Sequence, residues 1–271
     1  MTLSDSGYLM RRDPVIGRLG ELAEPNAPDR CTYAGIAKKL ALFLTSIAMG
    51  CLLCGIAKVT GSDPLDEQLH VNSVELILLA AAALIALITP WPAISIRKTT
   101  PVTGTMFCAA VGYIVMWLGA TLGRQYRAAI VLSFLITILL VCTMCFLYGR
   151  GIIRADRGFR TFLMTACITL IAGSLMTFIG SLIPATRGLV SELAADPILS
   201  LGVGVVMVIL GSLFLISDLD TIRQCVEGGM SKDYEWYASF GLAFSVIWLY
   251  FKVLQLVLRF MGRGSSRSGK R

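Results

Sequence analysis

The chain has 271 residues, of which 56% are hydrophobic and only 15% charged, against roughly 25% charged in a usual soluble domain. Its formal charge is +7, from 24 lysines and arginines against 17 aspartates and glutamates, but the basic residues fall in tails and short loops between apolar runs. That distribution sets orientation and headgroup contact in a membrane protein; it argues against a soluble enzyme and against nucleic-acid binding.

In chain order, residues 1–36 form a polar tail with no apolar core of the kind a secretory signal needs, and are expected to be flexible and cytosolic. Charge-free runs follow at 40–57, 76–96, 99–123, 128–149, 161–186 and 197–217. A hydrocarbon core about 30 Å thick is crossed by roughly 20 helical residues, a length each run reaches, the first barely. A seventh run, 237–260, is interrupted by Lys252 and Arg259. Backbone groups in lipid must be bonded internally, so the runs must be helices. The expected fold is an all-α membrane protein, a seven-transmembrane-helix bundle over residues 37–262, followed by a basic tail at 263–271.

Local features refine this picture. Pro90 and Pro92 flank Trp91 and read as a helix end or kink, with Trp91 at the interface. Gly119 with Gly123 forms a GxxxG pair, and Gly112/Gly119, Gly173/Gly180 and Gly204/Gly211 recur seven apart, as in helix faces that pack closely. They fit packing within a monomer or a weak homodimer. Arg30, Lys38 and Lys39 before the first run place the N-terminus inside; Asp63, Asp66 and Glu67 mark an outer loop; Arg150, Arg154, Arg157 and Arg160 give the strongest inside signal. Arg124, Arg127 and the basic C-terminus run against this pattern. A re-entrant last segment would return the C-terminus to the cytosol, but seven full spans are the favoured reading.

Of the eight cysteines, Cys51/Cys54 and Cys142/Cys145 have CxxC spacing. His70 is the single histidine, and no third or fourth ligand is evident, so these cysteines read as small hydrophobes rather than a metal or redox pair. No cofactor is expected. There is no P-loop and no dinucleotide fingerprint, and an enzyme is not expected. A retinal Schiff base on Lys252 would need a buried acid, typically on the third helix, and the third run has none.

Ionisable residues inside a membrane are costly and therefore informative. Asp218 and Asp220 open the stretch SDLDTIRQCVEGG, and Lys252 lies in FSVIWLYFKVLQLVLRF. If the last two runs are antiparallel with a turn near residues 230–239, just after Gly228 and Gly229, Lys252 can reach Asp218, Asp220 or both. The alternatives are that Lys252 snorkels toward headgroups, that the aspartates mark the end of the sixth span in water, and that Asp220 pairs locally with Arg223.

The stretch from Asp218 to Arg259 resembles the C-terminal signature of the Bax inhibitor-1 superfamily, and more narrowly its bacterial YccA-like branch. The matching features are Asp218 and Asp220 with Ile222, then Gly228, then YEWYASFGL and VIWLYFKVLQLV. Upstream, DPVIGRL and TYAGIAKKLALFL also resemble that branch. The resemblance implies a seven-helix membrane fold with the last helix central, in the inner membrane of a bacterium. It implies a calcium or other cation leak, because some members are pH-sensitive calcium leak channels whose sensor is a pair of acids on helices six and seven. Asp218 matches the first acid, and the second position falls on Lys252. An acid facing a lysine is a salt bridge rather than a proton-sharing pair, which implies a locked or retuned pathway. Other relatives bind and modulate membrane proteases or protect cells from stress. The second expectation is therefore a non-transporting modulator acting through loops such as 149–160.

Overall fold

The computed structural model describes residues 30–61, 73–96, 98–121, 124–153 and 155–268. The expectations for residues 1–29, for the loop with Asp63, Asp66, Glu67 and His70, and for residues 269–271 lie outside the described residues. Among the described residues the helices are α1 (Tyr33–Gly61), α2 (Ser73–Ile88), α3 (Pro90–Ser95), α4 (Thr100–Thr121), α5 (Arg124–Gly149), α6 (Arg157–Leu182), α7 (Pro184–Ala195), α8 (Pro197–Glu227) and α9 (Asp233–Ser268). Seven helical segments are long and apolar enough to cross a membrane: Tyr33–Lys58, Glu75–Ser95, Thr100–Thr121, Arg127–Gly149, Arg157–Leu182, Ile198–Glu227 and Asp233–Met261. The all-α, seven-span architecture expected from the charge-free runs is the one observed, and the last segment is long enough to be a full span.

Local chemistry sets the ends. The Thr32 side chain accepts the Gly35 N–H at 3.0 Å, the N-cap arrangement that satisfies an orphan donor of the first turn. It starts α1 at Tyr33, inside the stretch read as a tail. The second span breaks at Thr89, whose hydroxyl donates to the Ile85 carbonyl at 2.6 Å; Pro90 and Pro92 bring no N–H to the ladder. Trp91 is 77% exposed there. Between the fifth and sixth apolar runs residues 184–195 form α7, with Pro184 at its start.

Two helix ends use the same stop. Gly229 has φ +64°, its N–H donates to the Val226 carbonyl at 3.2 Å, and the Met230 N–H donates to the Cys225 carbonyl at 3.1 Å. Gly151, at φ +69°, repeats this after α5, with Gly151 N–H on Tyr148 and Ile152 N–H on Leu147. This is the left-handed glycine stop that consumes orphan carbonyls at a helix C-terminus.

The chain forms two compact units. One comprises Met1–Thr121 with Thr221–Ala243, the other Leu122–Asp220 with Phe244–Arg271. In the first, α1 and α4 cross with almost no side chain between them. A Cβ on Gly50 would meet the Ala109 backbone, and one on Gly112 would meet the Ile47 carbonyl; the Cys51 thiol donates to the Gly112 carbonyl at 3.3 Å. Beside this seam Cys54, Ala82, Ala110 and Tyr113 form a core flanked by Leu79 and Trp117. Phe43 sits edge-on to Trp236 and Phe240, with ring centroids 6.0 and 5.9 Å away. Gly104 leaves the slot that the Phe43 and Phe240 rings fill.

In the second unit α8 and α9 pack through two glycine notches. Gly211 faces Trp248 and Leu249, and Gly204 faces Leu256 and Arg259. Gly173, seven before Gly180, has nothing within 4 Å. Among the described residues that glycine is therefore not a packing contact, contrary to its spacing.

Candidate functional site

The sixth span does not end at the aspartates. α8 continues nine residues beyond Asp218, to Glu227, so Asp218 and Asp220 are set within a helix. Asp220 receives the Tyr148 hydroxyl at 3.0 Å and an ion pair from Arg160. Arg160, the last of the four arginines of the basic stretch, stands in the first turn of α6, and its side chain is only 33% exposed. Asp218 differs. The Ser245 hydroxyl donates to its carboxylate, while Oδ2 is buried with no hydrogen-bond partner among the described residues.

The expected pairing of Lys252 with Asp218 or Asp220 is not what the structure contains. Among the described residues, the neighbour of the Lys252 ammonium is the Trp248 ring, 5.3 Å to its centroid, within the range of a cation–π contact. The reason is register. The turn occupies the five residues 228–232 between Glu227 and Asp233, earlier and shorter than the expected 230–239. Gly211 against Trp248, and Gly204 against Leu256, carry that register along the helix pair, and it brings Ser245, not Lys252, to Asp218. Lys252 lies seven residues beyond Ser245, about 10 Å along the helix axis. The lock inferred from a lysine opposite Asp218 therefore has no contact to rest on.

A second buried cluster escaped the sequence reading, although its residues lie in the two stretches that carried the resemblance. Glu235, in YEWYASFGL, is 2% exposed. Its carboxylate accepts the Thr32 N–H at 2.9 Å, the Thr32 hydroxyl at 3.1 Å and the Lys39 ammonium at 2.8 Å. Thr32, Gly35 and Lys39 belong to TYAGIAKKLALFL, and Gly35 packs directly on the Glu235 carboxylate, which a Cβ there would strike. Lys39 also donates to the Lys232 carbonyl at 3.2 Å and lies 4.8 Å from the Trp236 ring centroid. Ser239 donates to the Ile36 carbonyl at 2.9 Å. The start of the first span is thus fastened to the start of the seventh. The available signal was an acid and a lysine each set against apolar neighbours; both sit at span edges, where charge reads as interfacial.

At the other end of α1, Lys58 lies 3.6 Å from Glu75. Nearby, the Tyr113 hydroxyl and Trp117 Nε1 are buried without hydrogen-bond partners. The CxxC cysteines are dispersed: Cys54 is in the core, while Cys142 and Cys145 are exposed on α5. Cys31, just before the first span, is buried, and that burial, with Cys225 and Glu235 nearby and Lys39 opposing, pushes its thiol up to about 12.

Comparison with curated proteins and with solved structures gave no match. A family model described as Bax inhibitor 1 like matches residues 13–262, nearly the whole chain, including every candidate residue above. This multi-pass membrane protein belongs to the Bax inhibitor 1-like family.

Proposed function

We propose that the chain carries, or regulates, a leak of calcium or another cation across the membrane, with the Asp218 carboxylate as its ion-binding group. The observation that supports this reading is Asp218 Oδ2, buried in the sixth span without a hydrogen-bond partner among the described residues. An ionised carboxylate in such a place is costly without a counter-charge. Three cations of the same unit are engaged elsewhere: Arg160 on Asp220, Lys252 over Trp248 and Arg259 on the Ser200 carbonyl. A mobile cation or a proton is then what Asp218 takes. Calcium binds tightly through about six to eight oxygens; one carboxylate and one hydroxyl are too few to store it, which suits passage.

Where the family resemblance implies two acids, this geometry offers one acid and Ser245. A single carboxylate titrates as one site, whereas two close ones share a proton. No enzymatic step enters this reading. It takes the bacterial plasma membrane from the family resemblance and sets the N-terminus in the cytosol, an orientation supported by the basic cluster Arg150–Arg160.

The test is calcium efflux from liposomes containing the purified protein. Asp218→Asn should abolish efflux, and Ser245→Asp should make it more steeply pH-dependent. Efflux unchanged by Asp218→Asn would remove the ion-binding role. No efflux at any pH, with a membrane protease or stress-response protein co-purifying, would favour the non-transporting modulator.

A further inference from the structure

Cys31 and Cys225 are cysteines outside any disulfide, 3% and 4% exposed, in the same unit and 194 positions apart in the chain. They meet around one residue. The Cys31 N–H donates to the Met230 carbonyl at 2.8 Å, and the Met230 N–H donates to the Cys225 carbonyl at 3.1 Å. Met230 itself is 2% exposed. Arg30 and Ser231 pair beside it as an antiparallel bridge, which fixes the register of the two strands of chain. A disulfide needs Cα atoms within about 7 Å; both cysteines are hydrogen-bonded to the backbone of the same residue, Met230, and Cys225 lies close enough to act electrostatically on the Cys31 thiol. Neither thiol takes part in the Asp218 site.

We propose that Cys31 and Cys225 form a modification site, at which a small disulfide such as oxidised glutathione converts the two thiols into a disulfide joining the chain that enters the first span to the end of α8. One protein thiol, losing its proton, attacks a sulfur of the small disulfide and expels one thiolate. The second protein thiol, losing its proton, attacks the mixed disulfide and expels the other. Two protein S–H bonds are exchanged for one S–S bond, and the oxidant leaves as two small thiols. Cys31 is protonated at neutral pH, so the exchange is slow there and accelerates as the solution becomes alkaline. Once formed, the bond is shielded from reductants by the burial that slows its formation.

The full-length protein in detergent or nanodiscs is incubated with oxidised glutathione at about pH 9, alkylated under denaturing conditions and digested without reduction. The expected result is a linked pair of peptides carrying Cys31 and Cys225, a loss of two of the eight alkylatable thiols, and absence of the link in Cys225→Ala. Alkylation of all eight cysteines, or linkage of these two only to glutathione or to other cysteines, overturns the proposal. The wild-type peptide map decides this even if a variant does not fold.

Discussion

Glu235→Gln is the sharpest probe of the fold. The substitution keeps the length and shape of the side chain but removes its charge. Lys39, whose side chain is 13% exposed against 2% for Glu235, then keeps a buried ammonium without its counter-charge. Removing one partner of a buried ion pair costs about 3–5 kcal/mol. Lys39 retains the Lys232 carbonyl and the Trp236 face, and Thr32 keeps an amide oxygen to donate to, so the loss sits at the lower end, about 3 kcal/mol. For a chain of this size that is a fall in Tm of roughly 6–12 °C. Thermal unfolding of the purified protein, followed by thiol-reactive fluorescence, measures it, because Cys31, Cys54 and Cys108 are buried until the fold opens. Adding Lys39→Met removes the stranded charge and should restore about half of the loss, since contacting residues do not behave additively. A single variant melting within about 1 °C of wild type, or a double variant showing the plain sum of two losses, would refute the reasoning.

Two further outcomes follow from contacts already described. Gly50→Ala drives a methyl group into the Ala109 backbone, where no flexible side chain can give way, and should destabilise by about 1–3 kcal/mol; Gly173→Ala, with open space around it, should leave the melting temperature unchanged or raise it slightly. Lys252→Met, seven residues from Ser245, should leave calcium efflux from liposomes unchanged, whereas a clear rise would bring the lysine lock back.

The spans were legible because charge-free runs of membrane length have few other physical meanings. Gly228 and Gly229 announced the stop after the sixth span, and the structure uses Gly229 for it. The spacing of Gly204 and Gly211 identified a packed face correctly, yet the same spacing at Gly173 did not, since a glycine stripe shows only that close approach is permitted. Asp218 was recognisable as costly. Its neighbour on α9 was not, because helix register depends on the length of the turn, and a turn centred five residues earlier exchanges Lys252 for Ser245. Glu235 and Lys39 are about 200 positions apart, and only the folded chain shows them to be partners.

The crossing of Gly50 and Gly112 has a consequence for motion. Most helix contacts adjust through rotamers: a leucine swings, a methionine bends, and the axes slide by an ångström. Where carbonyl and Cα meet face to face there is nothing to swing. The first and third spans should therefore travel as one rigid plank, and any opening of this protein must find its hinge in another part of the molecule.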